Sequence, residues 1–186
     1  MFKILIGCFF SVVILSISGC TQTNLQTVPK AYLTYELKIP LSVYSYPGSL
    51  ETKQLLNILH SGEKVAMFCL VKADPLGISI NGFTLSGVKI FELSFNRQGL
   101  KAKSFIPLNQ APAPEQILLD CILGLYPEET LKSALSDEVE LFSKEHVRLV
   151  KYHGKTVRSF SYDDEDHLSY VECPEFDYSI KIKSIK

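Results

Sequence analysis

The stretch that decides the fold is residues 111–135, APAPEQILLDCILGLYPEETLKSAL, because the hydrophobic period changes there. Apolar side chains recur at helical spacing from Ile117 to Leu125, a pattern typical of a helix with a broad apolar face. Pro114 suits the first helical position, and Glu115 beside it suits the positive end of the helix dipole. We therefore predict a helix that starts at Pro114.

Two breaks divide this stretch. Gly124 and Pro127 are predicted to end the first helix, and a second short helix is predicted from Pro127 to about Leu135. Both helices are nearly all apolar on one side, so a large surface must cover them. A sheet is the expected partner.

The residues before this stretch alternate with the period of two that indicates half-buried strands. Residues 31–39, AYLTYELKI, are predicted to form one strand with Leu33, Tyr35, Leu37 and Ile39 on one face. Gly82, in mid-strand, indicates a bulge or a close approach of the backbone. Further strands are predicted within residues 52–60, 63–71, 78–85, 88–95 and 100–105.

The residues after the helices alternate again. Residues 147–162 read as a hairpin around His153-Gly154, and two more strands are predicted at 168–173 and 177–185. The order strands, helices, strands predicts an α+β fold: a largely antiparallel, strongly curved sheet with the central helices on its concave face. Strands from both sides of the helical insert can join in one continuous sheet.

The first 19 residues have the three parts of a secretory signal: one basic residue, a short apolar run and small residues at the exit. The run is too short for a comfortable transmembrane helix. Ile17-Ser18-Gly19-Cys20 resembles the bacterial lipobox, which implies that Cys20 is acylated and becomes the N-terminus. The alternative is an ordinary cleaved signal with a chance cysteine.

These features predict three segments: a lipoprotein signal peptide at 1–19, a lipidated tether at 20–30 and a single domain at 31–186. Thr21, rather than aspartate, follows Cys20. In a Gram-negative host, lipoprotein-sorting rules then imply delivery by the lipoprotein export machinery to the periplasmic face of the outer membrane.

Charge and cysteine content limit the partners and the disulfide bonds that the protein can have. Removing the signal removes only Lys3, so the mature chain has one basic side chain fewer than the 19 of the full sequence and keeps all 20 acidic ones. This slightly acidic balance argues against a nucleic-acid partner. Cys69, Cys121 and Cys173 allow at most one internal disulfide, and their apolar settings favour buried free thiols.

The sequence carries no recognisable catalytic motif, so we predict a protein that is not an enzyme and has no cofactor. The acidic run at 163–167, DDEDH, lacks the ligand spacing of a calcium loop, and no metal site is predicted.

The aromatic and aliphatic strand faces leave two interpretations open. They could form a solid core over the helices, or a curved sheet could leave an apolar cavity for a fatty chain. For the second case, the predicted ligand-binding residues are three on a sheet wall and three on a helical lid. They are Phe91, Leu93, Phe95, Ile117, Leu118 and Ile122.

Two stretches resemble a family of uncharacterised Gram-negative lipoproteins, the domain-of-unknown-function 3261 family. Residues 77–100 resemble its strand–loop–strand signature, and residues 112–135 its helical motif, with Asp120 as the internal aspartate and Tyr126-Pro127 as the aromatic-proline step. The closing YSIKIKSI resembles its terminal strand.

This resemblance implies a fold similar to the lipoprotein-localisation carriers, a half-open antiparallel barrel that is lidded by helices and binds acyl chains. It also implies a link to aryl-polyene lipid biosynthesis, since genes of the family often accompany that pathway. Function does not transfer from fold alone.

The function expected from these observations is an outer-membrane-anchored lipoprotein that binds an acyl chain or aryl-polyene lipid for transport or insertion. The helices would swing off the sheet to exchange the ligand. One alternative is a non-catalytic interaction module that docks onto an envelope assembly through a sheet edge or the second helix. Another is a hydrolase with a triad brought together in space.

Overall fold

The computed structural model of the protein describes residues 28–42, 46–105 and 112–185. A short hairpin comes first, then five strands, two helices and five further strands. The strands are β1 (Lys30–Tyr32), β2 (Lys38–Pro40), β3 (Leu50–His60), β4 (Glu63–Asp74), β5 (Gly77–Phe83), β6 (Lys89–Asn96), β7 (Gly99–Ser104), β8 (Val139–Lys144), β9 (Val147–Tyr152), β10 (Lys155–Tyr162), β11 (Leu168–Cys173) and β12 (Tyr178–Ile185). The helices are α1 (Pro114–Leu125) and α2 (Glu128–Lys132), and a single 3₁₀ turn spans Pro174–Phe176.

Ten strands form one curved antiparallel sheet in the order β7-β6-β5-β4-β3-β12-β11-β10-β9-β8. The strands before and after the helices meet where β3 pairs with β12, with Ile58 opposite Ile180 and Leu56 opposite Ile182. The prediction of one continuous sheet is thus confirmed. Within the described residues β7 and β8 each have one strand neighbour, so the sheet is not closed into a barrel.

Helix α1 begins at Pro114, as predicted, and lies in the core. Leu118, Leu119, Ile122 and Leu123 are almost fully buried in the same cluster as sheet residues such as Val157 and Phe160. The helix ends where Tyr126 becomes extended while its N–H still donates to the Ile122 carbonyl. Among the described residues, no helix combines the length and apolar character needed to span a membrane.

The predicted end of the first helix is confirmed, because α1 ends at Leu125, between Gly124 and Pro127. Gly124 lies inside α1, and a Cβ atom there would be 2.9 Å from Leu168 Cδ2 and 3.0 Å from Phe160 Cδ1. The missing side chain therefore lets α1 approach β10 and β11 closely. The second helix is also shorter than predicted, ending at Lys132.

Residues 31–39 are not one strand but the hairpin β1–β2. Thr34 causes the difference, because its hydroxyl oxygen accepts hydrogen bonds from the N–H groups of Glu36 and Leu37 and so closes a tight turn. Tyr35 is at the tip and 68% exposed, whereas Leu33 and Ile39 still enter the core.

Strand β8 was not predicted. It is an edge strand in which only Val139 is buried, so its sequence, VELFSK, shows little apolar alternation. The predicted His153-Gly154 hairpin is confirmed: both residues have positive φ, 50° and 74°, as a two-residue turn between twisted strands requires.

Candidate functional site

A cavity of about 750 Å³ lies between α1 and the sheet, and we call it the inner cavity. Its floor is the inner face of β3, β4 and β12, where alternate residues point the same way. Because β3 pairs with both β4 and β12, these side chains form cross-strand rows such as Val65–Ile58–Ile180. The apolar floor residues are Leu56, Ile58, Val65, Met67, Cys69, Ile180 and Ile182.

The opposite wall is one stripe of α1. Ile117, Cys121 and Leu125 follow each other at intervals of four residues, share one helix face and are only partly buried. Phe91 of β6 completes the wall. Its ring crosses the place where a side chain at Gly82 would stand, with Cε1 2.3 Å from that Cβ position. The pairing of β5 with β6 also shifts register between Gly82 and Phe83, so the predicted bulge is present, while the close neighbour of Gly82 is the Phe91 ring.

The structure separates the six predicted ligand-binding residues into two groups. Phe91 and Ile117 line the inner cavity. The other four do not line it and lie in the closely packed core, each at most 3% exposed: Leu93, Phe95, Leu118 and Ile122. The helical pair is displaced because one side of α1 faces the cavity and another faces β10 and β11.

A buried polar network borders the cavity. The fully buried Arg158 of β10 donates from Nε to Asp120 Oδ1 at 3.2 Å. Its Nη1 donates to the carbonyl oxygens of Leu33 and Val157, both at 2.9 Å, and its Nη2 to that of Tyr32 at 3.1 Å. Arg158 thus ties α1 and the β1–β2 hairpin to the sheet.

Two further side chains, Tyr178 and Gln116, join this network. The Tyr178 hydroxyl donates to Asp120 Oδ2. In the amide orientation that satisfies both of its partners, Gln116 donates to the Tyr32 carbonyl at 3.0 Å and accepts from Arg158 Nη2 at 2.7 Å. Asp120, Gln116 and Tyr178 all line the inner cavity, so the network forms a polar spot in an apolar surface.

Burial governs the protonation of this network. It raises the pKa of Asp120 above 3.8, while the Arg158 charge and the Tyr178 hydroxyl oppose the rise. Burial also raises the pKa of the Tyr178 phenol, and the Asp120 charge adds to that effect. Burial is the largest single effect on Arg158 and lowers its pKa, but Asp120, Tyr178 and Cys173 together outweigh burial, so the pKa is raised overall.

The C-terminal end of α1 is fixed by side chains from the sheet. Arg148 Nη1 donates to the carbonyl oxygens of Leu123 at 2.7 Å and Tyr126 at 2.9 Å, and the Tyr162 hydroxyl donates to that of Gly124 at 2.8 Å. These carbonyls have no partner within the helix. The helix is therefore held to β9 and β10 along its length.

Arg158 was missed by sequence reasoning. A bulge between Thr156 and Arg158 in the pairing of β10 with β9 leaves Val157 unpaired, so that Val157 and Arg158 are both buried. The available signal was an arginine within an otherwise alternating strand, opposite an aspartate in an apolar helix. Neither the arginine nor the aspartate alone indicates that the two side chains form a pair.

Cys69 and Cys173 are buried, as predicted, whereas Cys121 is only partly buried. Cys69, Cys121 and Cys173 are free, and burial raises the pKa of Cys69 to about 12. In the acidic turn, Asp163 accepts from the N–H groups of Glu165 and His167. The described ranges contain no cluster of potential metal ligands. The predicted lipidation site, Cys20, and the signal peptide at 1–19 lie outside the described residues.

Fold and cavity together define the class: an α+β protein with an open, curved antiparallel sheet and one helix over an apolar cavity. The chain belongs to the family described as Protein of unknown function (DUF3261), whose sequence model matches residues 51–186. That range contains both helices and all strands of the large sheet, apart from Leu50, the first residue of β3. The comparison with curated proteins found no match.

Proposed function

We propose that this protein binds an acyl chain or a comparable lipid in the inner cavity and acts, without catalysis, in lipid transport or insertion in the cell envelope. The observation that carries the proposal is the cavity itself. Its volume of about 750 Å³ falls in the range of small-molecule sites, and most of its lining side chains are apolar.

The energetics suit a hydrocarbon ligand. Each buried CH₂ contributes about 0.8 kcal/mol, so about ten of them contribute about 8 kcal/mol before the cost of association is subtracted. The floor side chains of β3 and β12, such as Ile58 and Ile180, are partly exposed. A lipid chain would remove that apolar surface from water.

The membrane part of the proposal depends on Cys20. Acylation there would tether the domain to the outer membrane, on the periplasmic face, and place the cavity near its lipid source. A relationship to the lipoprotein-localisation carriers, with α1 as a lid, and an aryl-polyene ligand belong to the same proposal through the family resemblance.

Ligand exchange takes place at the side of α1 that faces β3, β4 and β6. Tyr35, Glu63, Val65 and Pro112 at the cavity margin are exposed, which offers an entrance there. A protein-interaction module would use a sheet edge, β7 or β8, and needs no cavity. The cavity is the reason to prefer the lipid.

The test uses a pair of tryptophan variants on neighbouring residues of β3. Ile58→Trp fills the cavity floor, and Leu59→Trp is the matched control on the opposite face of the sheet, where Leu59 is 39% exposed. The chain contains no tryptophan, so each variant also supplies a single fluorophore. Binding is measured with the neutral probe N-phenyl-1-naphthylamine.

We expect the natural chain and Leu59→Trp to bind the probe alike and Ile58→Trp to bind about tenfold more weakly, a difference of about 1.4 kcal/mol. Urea unfolding verifies that both variants are folded. The proposal is rejected if the natural chain does not bind the probe, or if folded Ile58→Trp binds it as well as the control does.

A further inference from the structure

The charged residues of the inner cavity have one sign. Two acids, Asp120 and Glu63, are among its lining residues, and no lysine or arginine of the described chain lines it. His60 lies beside Tyr178 at the same end, with ring centroids 6.5 Å apart. An anionic group in the cavity would therefore meet carboxylates and no permanent cation.

Arg158 does not provide a positive charge for an anionic ligand. Its side chain is fully buried, and Nε, Nη1 and Nη2 all donate to protein oxygens. Its charge is balanced by Asp120 at 3.2 Å. A phosphate or carboxylate would have to displace Asp120 to reach it, which would leave the Asp120 charge without its partner.

Asp120 can instead accept a hydrogen bond from a ligand. A carboxylate offers about four acceptor positions, and Arg158 and Tyr178 occupy one on each oxygen. Gln116 and Gln54, which also line the cavity, add neutral amide groups. The polar spot thus matches a group that donates a hydrogen bond, such as a hydroxyl, an amide or an ammonium.

We propose that the inner cavity selects lipids whose polar group is neutral or cationic and donates a hydrogen bond, and that it rejects anionic headgroups. This inference rests on the proposed function and specifies its ligand class. The physical reason is that burying an anion without a counter-charge is strongly unfavourable, whereas an O–H or N–H group gains an acceptor.

The test compares ligands with the same chain: dodecanol, dodecylamine and dodecyl phosphate, each displacing N-phenyl-1-naphthylamine from the purified protein. We expect the alcohol and the amine to displace the probe at concentrations at least about tenfold below that of the phosphate. Val65→Lys places a cation at the cavity margin, where Val65 is 49% exposed. Leu59→Lys adds the same charge on the outer face.

In Val65→Lys we expect dodecyl phosphate to bind about tenfold more tightly than in the natural chain, while Leu59→Lys leaves its affinity unchanged. Equal displacement by alcohol and phosphate, or tighter binding of the phosphate, overturns the inference but leaves the proposed function standing. Failure of the probe and all three ligands to bind overturns the proposed function and the inference with it.

Discussion

Replacing Arg158 with methionine tests the account of how α1 is fixed. The substitution keeps the apolar stem but removes the guanidinium, and with it the bonds to Asp120 and to the carbonyls of Leu33, Val157 and Tyr32. Two of those carbonyls belong to the β1–β2 region. The loss is therefore expected to loosen the hairpin as well as the helix.

The magnitude follows from burial. Removing one partner of a buried ion pair costs about 3–5 kcal/mol, and each orphaned buried carbonyl adds up to about 1–3 kcal/mol. Protonation of Asp120 relieves part of this loss, because the Arg158 charge no longer lowers its pKa. We expect Arg158→Met to lower the free energy of unfolding by about 4 kcal/mol at neutral pH.

The sign of the pH dependence follows from the same group. In Arg158→Met the folded-state pKa of Asp120 lies further above the unfolded value near 3.8 than it does in the natural chain. The protonated group then stabilises the fold at low pH, and that stabilisation is lost as pH rises through the folded-state pKa. The deficit of the variant is therefore smallest in acid.

The assay is urea unfolding at several pH values, with Arg97→Met as the matched control, because Arg97 is an exposed turn residue. The control should lose less than about 0.5 kcal/mol. If Arg158→Met is unfolded in buffer, Arg158→Lys is measured in its place. Lysine keeps the positive charge but not the planar guanidinium, so we expect a smaller loss in the free energy of unfolding. A loss below about 1 kcal/mol in folded Arg158→Met refutes the reasoning.

A double variant, Asp120→Leu with Arg158→Met, separates the charge pair from the carbonyl contacts. Replacing both ions removes the unpaired charge, which in a simple pair restores stability. Here the carbonyls of Leu33 and Val157 still lose the donor that Arg158 supplied, so we expect the double variant to remain at least about 1 kcal/mol less stable than the natural chain. Full recovery would show that those contacts contribute nothing.

Three further predictions concern packing, pH and the anchor. Gly124→Ala should lower the free energy of unfolding by about 1 kcal/mol in urea, because crowding against buried side chains outweighs the better helix propensity; a gain in stability contradicts this. The free energy of unfolding should fall as pH rises from 9 towards about 12. Burial raises the pKa values of Cys69 and Tyr126 to about 12, so these groups ionise at lower pH in the unfolded chain than in the folded one. An unchanged pH slope in Cys69→Ala would show that Cys69 does not contribute. Cys20→Ser should abolish incorporation of labelled palmitate and move the protein out of the membrane fraction, whereas retention with unchanged labelling rules out lipidation at Cys20.

The order of the blocks could be predicted because hydrophobic period is a local property. The change of hydrophobic period at 111–135 predicted the first residue of α1 correctly, and the alternation of apolar and polar residues predicted most of the strands. Residues 31–39 were misassigned for the same reason. The alternation there is genuine, but the Thr34 hydroxyl offers the backbone a turn, and a local pattern does not reveal which of the two prevails.

The cavity could be proposed but not located from the sequence. Its position depends on how far α1 stands from each half of the sheet, which is set by long-range contacts such as Arg158 with Asp120 and Tyr162 with Gly124. Those contacts draw α1 towards β10, which buries Leu118 and Ile122 and leaves Ile117 facing open space. An apolar stripe alone does not indicate which side will be filled.

The unequal attachment of α1 also favours one of two routes for the proposed ligand exchange. Lifting the helix would break its bonds to Arg158, Tyr178, Tyr162 and Arg148, which at about 1 kcal/mol or more each approach the stability of a whole domain. On the other side, α1 faces β3 and β4 across the cavity through apolar side chains, with few contacts to break. A lipid that enters along this side keeps the polar network intact. The helix therefore serves better as a fixed wall than as a swinging lid, and the exposed margin of the cavity between α1 and the sheet offers the proposed route of entry.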